Sequence, residues 1–254
     1  MSRPTIVIVP AACQPTALYE PLAKALQKQQ YAVEVVSTPS VGGSLRTFDE
    51  DVVAVRKTVV SLADKGADIV VLMHSYGGVP GSAALRGLGN AERVKAGKHG
   101  GVIRLVYAAA FALREGEAVP TKGDYEALKS YSVVDEEADT FTLTREAAEW
   151  SMFHDIPASD GGHWFSLMKP QSIGALWSDL TYAAWEEIPS TYVVCETDRV
   201  IPLESQESMI ANAKEVQPTA FDVVERINCG HEPIWSNIDD LVRILNMAAD
   251  SPSL

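Results

Sequence analysis

The sequence predicts an α/β protein: a mostly parallel, doubly wound sheet with an inserted helical cap. Three observations predict it. Short, dense apolar runs recur at Thr5 to Val9, Ala32 to Val36, Ile69 to Met73, Ile103 to Ala108, Thr191 to Cys195 and Phe221 to Ile227, the density expected of strands buried on both faces. Segments of helical period separate the early runs, so strand and helix alternate as a parallel sheet requires. The alternation then stops after Phe111 and resumes only at Thr191, which marks an insertion.

The elements follow in order. Met1-Ser2-Arg3-Pro4 leads directly into the first strand, too short a lead for a secretory h-region. The strand runs into Pro10-Ala11-Ala12-Cys13-Gln14, a loop of small residues. Leu18, Leu22 and Leu26 then form one helical stripe, and Val52, Val55, Val59 and Leu62 another, with Arg56, Lys57 and Asp64 on other faces. Ile69 to Met73 is followed by His74-Ser75-Tyr76-Gly77-Gly78. The stretch Gly87 to Gly101, with Arg93, Lys95, Lys98 and His99 among glycines, reads as a solvated loop. Leu113 to Ser190 is the insertion, and it holds four of the five tryptophans, Trp150, Trp164, Trp177 and Trp185, with Phe153, Phe165 and Tyr182. Residues 1–112 and 191–254 are thus expected to form the core and residues 113–190 a helical cap over the carboxyl edge of the sheet, where open α/β sheets bind ligands. Trp150, Phe153, Trp164 and Trp177 are candidate substrate contacts. The competing reading is that these aromatics pack the cap itself.

Composition narrows the function classes. A chain of 254 residues suffices for one core with a small lid. A formal charge of −13 without a Lys/Arg stripe excludes phosphate-backbone binding as an expectation. No apolar run has the length of a membrane span. Cys13, Cys195 and Cys229 are odd in number and widely spaced, so neither a disulfide framework nor a Cys-x-x-Cys metal pair is expected, and a reducing, cytoplasmic setting is. The expected partner is a small-molecule substrate, with no nucleic acid, no membrane, no metal and no cofactor. Oligomeric state, a homodimer included, stays open.

The chemistry centres on Ser75. A serine on a sharp turn between a buried strand and a helix presents its hydroxyl at the sheet edge, with backbone N–H groups aimed at what it attacks. Gly77 permits the close approach such a turn needs. The pattern departs from G-x-S-x-G because Met73 occupies the first glycine position. Serine needs a base, and the base needs an orienting acid. Of the five histidines, His74 points away from the serine as its strand neighbour, His99 lies in the basic loop, and His154 and His163 lie in the cap. His231 follows the last strand on the same edge as Ser75 and is assigned as the base. Asp198, in the loop after Thr191 to Cys195, is the acid in preference to Glu196. The N–H groups of Tyr76 and Ala12 are the expected donors to the oxyanion.

These motifs carry a resemblance. The chain resembles the α/β-hydrolases, and within them the branch of plant methylesterases, salicylate-binding esterases and hydroxynitrile lyases, with related small microbial hydrolases. The similarity rests on Val7 to Cys13, Met73 to Gly78, Tyr107 to Phe111, Val194 to Pro202 and Cys229-Gly230-His231. It implies an α/β-hydrolase fold and a cofactor-free serine hydrolase that cleaves a small, largely apolar carboxylic ester or lactone through an acyl-enzyme. Pro10-Ala11 stands where the branch usually has His-Gly. The lyases resemble the chain in fold but carry threonine at the position of Ala11 and lysine at that of Glu232, so cyanohydrin cleavage is disfavoured. Ser75 likewise disfavours the members with an aspartate nucleophile. Two rival readings remain: C–C bond cleavage on the same three residues, and a ligand-binding receptor on a hydrolase scaffold.

Overall fold

In the computed structural model, which describes residues 3–250, the apolar runs lie side by side. Strands β1 (Thr5–Val9), β2 (Ala32–Val35), β3 (Asp68–His74) and β4 (Gly101–Ala108) come from the first half of the chain. Strands β5 (Ser132–Asp135), β6 (Thr140–Leu143) and β7 (Gln171–Ser172) lie in the insertion, and β8 (Ser190–Cys195) and β9 (Val223–Ile227) follow it. Six of them form one sheet in the order β2-β1-β3-β4-β8-β9, every adjacent pair parallel. The expected fold class is the one observed.

Helices α1 (Glu20–Lys28), α2 (Asp49–Ala63), α3 (Gly78–Ala83) and α4 (Asn90–Lys95) connect the early strands. The insertion contributes α5 (Tyr125–Lys129), α6 (Arg145–Ser151), α7 (Ala158–Leu167) and α8 (Ile173–Leu176), and α9 (Leu203–Val216), α10 (Pro233–Ser236) and α11 (Ile238–Ala249) close the chain. All eight residues of β4 and six of the seven in β3 are buried, so both sheet faces are covered. The helices that cover them fall into two groups, α1 packed with α11 and α2 packed with α3. The apolar stripes of the sequence face inward, with Leu22, Leu26, Val55 and Val59 in the core. The edge strands β2 and β9 alternate between exposed and half-buried positions along most of their length, so their apolar runs are less buried than their density suggests.

The chain leaves β1 outward to β2, then returns to add β3, β4, β8 and β9 on the other side. That reversal brings the carboxyl ends of β1 and β3 together, with Val9 paired to Met73. The loop after β1 and the turn at Ser75 are therefore neighbours. A crevice at such a switch point is where this architecture binds ligands.

Two segments differ from the sequence reading. The cap is not helical alone, because β5, β6 and β7 form a three-stranded antiparallel sheet within it. The Asp135 carboxylate turns the β5–β6 hairpin by accepting the N–H groups of Glu137 and Ala138 at 3.1 and 3.0 Å. The stretch Gly87 to Gly101 is not a solvated loop throughout. It contains α4, and Arg93 is buried there, donating to the Gly100 carbonyl at 2.8 Å and to Asp64 at 2.9 Å.

Candidate active site

Ser75 is held on a forced turn. Its φ is +52°, a left-handed conformation that costs a non-glycine residue about 1–2 kcal/mol. The turn is locked from both sides: Phe111 N–H donates to the Ser75 carbonyl at 3.1 Å, and a Cβ on Gly77 would overlap the carbonyl oxygens of Val9 and Pro10. Only glycine lets the turn sit this close to β1. The Tyr76 side chain is pinned away from the site, its hydroxyl donating to Asp51 at 2.7 Å.

His231 and Asp198 arrive from the two strand ends named above. The Asp198 carboxylate accepts from the Val200 and Ile201 N–H groups through Oδ1, at 2.7 and 3.0 Å. Its Oδ2 lies 2.8 Å from His231 Nδ1. Both side chains are buried. The pairing commits Nδ1 and leaves Nε2 as the ring nitrogen free to exchange a proton. Ser75 and His231 line one cavity. Catalytic hydrogen bonds of unliganded sites commonly close only around substrate, and Ser75 Oγ has no hydrogen-bond partner among the described residues.

The N–H groups of the loop after β1 differ in whether they are already bonded. Ala11 N–H donates to the Tyr19 hydroxyl at 2.8 Å, Cys13 N–H to Gln171 Oε1 at 3.1 Å, and Gln14 N–H to the Ala11 carbonyl at 3.4 Å. Ala12 alone in this loop has an uncommitted N–H, and Ala12 lines the cavity beside Ser75 and Tyr76.

The cavity has a volume of about 410 Å³, within the range that holds a drug-sized molecule. Its wall is largely apolar and is shared between the cap, with Val119, Phe141, Leu143, Met152 and Leu176, and the core, with Phe111 and with Ile201 beyond β8. Cys13 also lines it, but burial pushes that thiol up to about 12, so it is no nucleophile near neutral pH. At the mouth, Arg199 joins core to cap. Its guanidinium donates to the Trp150 carbonyl at 3.0 Å and sits 5.3 Å from the centroid of the Trp150 ring.

Of the four aromatics expected at the substrate, the structure brings only Trp150 to the cavity. Phe153 and Trp164 instead pack on Trp235 of α10, Trp164 stacked at 4.9 Å and Phe153 tilted at 5.4 Å. Trp177 meets the edge of Tyr125 at 4.7 Å. These three knit the cap together and to the core, because each finds an aromatic partner outside the cavity. Trp185 is buried, donating to the Leu113 carbonyl at 3.0 Å.

His74 points away from Ser75, as the strand alternation requires, into a buried polar cluster with Tyr19, Gln14 and Glu232 that sequence reasoning did not assemble. Its Nδ1 lies 2.8 Å from the Tyr19 hydroxyl and its Nε2 2.8 Å from the His231 carbonyl oxygen. Burial and the neighbouring His231 push the His74 imidazole down to about 3. Tyr19 and Gln14 carry no motif, and only their place after β1 could have drawn attention to them.

A family model described as the alpha/beta hydrolase family matches residues 6–244. The chain belongs to the alpha/beta hydrolase family. It is similar to an alpha/beta hydrolase named nvfD from Aspergillus novofumigatus, with 32% identity over 251 residues and 98% of each chain covered. Among solved structures it resembles polyneuridine aldehyde esterase, with a TM-score of 0.73, 16% identity and coverage of 98% of this chain and 100% of the other. It also resembles a tomato methylketone synthase I complexed with beta-ketoheptanoate, with a TM-score of 0.74, 14% identity and coverage of 98% and 99%. At such identities the structural likeness speaks for the fold. No helix among the described residues is long and apolar enough to cross a membrane.

Proposed function

We propose that this hydrolase cleaves a small, largely apolar carboxylic ester or lactone through an acyl-enzyme on Ser75. The observation that carries the reading is the 2.8 Å contact between Asp198 Oδ2 and His231 Nδ1, with His231 and Ser75 on the wall of one apolar cavity. His231 Nε2 takes the Ser75 proton as the hydroxyl adds to the substrate carbonyl. Asp198 fixes the tautomer and stabilises the imidazolium that forms. The N–H groups of Ala12 and Tyr76 receive the oxyanion, and each such donor contributes about a hundred- to a thousandfold in rate. His231 then returns the proton to the leaving alcohol, and water repeats the sequence to release the acid.

The wall favours an apolar acyl or alcohol part that reaches from Ser75 toward Trp150 and Arg199. A fluorophosphonate added to the purified protein, followed by digestion and mass spectrometry, tests the mechanism. A single adduct on Ser75, absent from Ser75→Ala, is expected, and an unlabelled Ser75 refutes the acyl-enzyme. Because a methylketone synthase shares the fold, β-keto acids and β-diketones belong beside esters and lactones in the substrate panel. Turnover of these with none of the esters would replace ester cleavage by C–C cleavage.

A further inference from the structure

The cluster behind His231 takes no part in that proton transfer. Glu232, Gln14, Tyr19 and His74 are all fully buried and form one string of hydrogen bonds. Glu232 Oε1 lies 2.7 Å from the Gln14 amide nitrogen, Gln14 Oε1 lies 2.7 Å from the Tyr19 hydroxyl, and that hydroxyl lies 2.8 Å from His74 Nδ1. His74 Nε2 ends the string at the His231 carbonyl oxygen, 2.8 Å away. Tyr19 also accepts the Ala11 N–H at 2.8 Å. The string therefore grips the loop that carries Ala12 and the backbone of His231 together.

Counting donors leaves two ways to protonate it. With the Gln14 nitrogen toward Glu232, Tyr19 gives its one proton to Gln14. His74 must then donate from both ring nitrogens, as an imidazolium facing a Glu232 carboxylate. With the Gln14 amide turned end for end, which keeps every heavy-atom position filled, the Glu232 acid O–H donates to Gln14, Gln14 to Tyr19, Tyr19 to His74 Nδ1, and His74 Nε2–H to the His231 carbonyl. Both titratable groups are then neutral.

Glu232 Oε2 decides between the two. It is buried without a hydrogen-bond partner, 3.9 Å from His74 Nε2. A carboxylate there would have one amide N–H and, 3.9 Å away, an imidazolium whose Nε2 proton already goes to the His231 carbonyl, while facing the acidic side chains of Asp198 and Asp155, whereas a neutral acid leaves only a carbonyl-type oxygen unpaired. Burial drives Glu232 well above the usual carboxylate range for the same reason.

We propose that Glu232 is a positioning residue: as a neutral acid it orders the protons of Gln14, Tyr19 and His74, keeping His74 uncharged with its proton on Nε2, and so holds the Ala12 loop and His231 in register for acyl transfer. The proposal rests on the hydrolase reading above. The His74 and His231 rings lie 5.2 Å apart between centroids. An imidazolium at His74 would oppose the imidazolium that His231 must become, and a neutral His74 does not.

Two measurements test this. In the wild-type protein with ¹⁵N-labelled histidine rings, His74 is expected to be neutral and Nε2-protonated across about pH 5 to 8, and an imidazolium signal there overturns the proposal without any substrate. In kinetics, Glu232→Leu is expected to lower kcat about tenfold or more with KM little changed. Glu232→Gln, which offers an N–H where the acid offers O–H, restores it to within about threefold of wild type, with the acid limb of the pH–rate profile unmoved. A folded Glu232→Gln as slow as Glu232→Leu overturns the proposal, since charge rather than proton order would then be what matters. Failure of the acyl-enzyme reading shows separately, as an unlabelled Ser75 beside an unchanged His74 spectrum.

Discussion

Replacing Glu232 by Gln should change how stability depends on pH, in a manner fixed by where folding puts one proton. In the unfolded chain His74 titrates near 6.5 and Glu232 near 4.5. Folding lowers the first to about 3 and raises the second well above its usual range. For His74, whose folded value is depressed, the stabilisation is complete above 6.5 and is lost as pH falls toward 3. For Glu232, whose folded value is raised, it is complete below 4.5 and is lost as pH rises from there. Between 4.5 and 6.5 the two slopes cancel, because each state of the pair binds one proton: the unfolded chain carries it on His74 and the folded protein on Glu232.

Glu232→Gln removes one half of that balance. Each unmatched proton is worth about 1.4 kcal/mol per pH unit. Relative to wild type the variant should therefore gain stability as pH rises above 4.5, for as long as Glu232 keeps its proton in the folded protein. Urea titrations of both proteins at half-unit steps from about pH 4 to 8 measure the difference, in which the other titrating groups cancel. A difference curve that stays flat above 4.5 would mean that Glu232 is ionised in the folded protein. That result refutes the reasoning.

Four further outcomes are expected. Asp198→Asn should lower kcat by about 10⁴-fold while leaving the fold intact, measured by steady-state kinetics and circular dichroism, since the amide would hold His231 in the wrong tautomer. Trp164→Ala should cost about 2–3 kcal/mol in urea unfolding through loss of the Trp235 stack, with KM nearly unchanged. Trp150→Ala should do the reverse, raising KM severalfold at a stability cost under about 0.5 kcal/mol, because this side chain is 62% exposed at the cavity mouth. Gly77→Ala should destabilise by more than about 3 kcal/mol, because its Cβ meets backbone oxygens of β1 that cannot rotate aside.

What the sequence made legible follows from where the information lies. Ser75, Asp198 and His231 stand just beyond β3, β8 and β9, and a parallel sheet delivers all such positions to one edge. Local pattern was therefore enough to bring these residues together. The cap was less legible for the opposite reason. Trp164 is defined by its stack on Trp235, a residue on the far side of the cap in sequence, and nothing within the insertion announces that partner. Strands β5 and β6 are four residues each, too short for alternation to stand out among helical segments. Arg93 looked solvated because its partners, Asp64 and the Gly100 carbonyl, approach it only in the folded chain. In the sequence Glu232 stands out only as the position where the lyases carry lysine, and its burial against Gln14 depends on a contact 218 residues long in sequence.

The short strand β7 alters what the cap can do. Gln171 accepts the Cys13 N–H and donates to Ser40, Lys169 N–H reaches the Cys13 carbonyl at 2.9 Å, and Gly42 N–H reaches that of Pro170 at 2.7 Å. The roof is thus riveted to the same loop that offers the Ala12 N–H. A motion that lifted residues 169–171 would release the Cys13 backbone beside Ala12 along with the ceiling. The other tie between cap and core lies where Trp150 leans on Arg199, and a protein with the cap excised would leave the Cys13 N–H and carbonyl without the partners that now fix them.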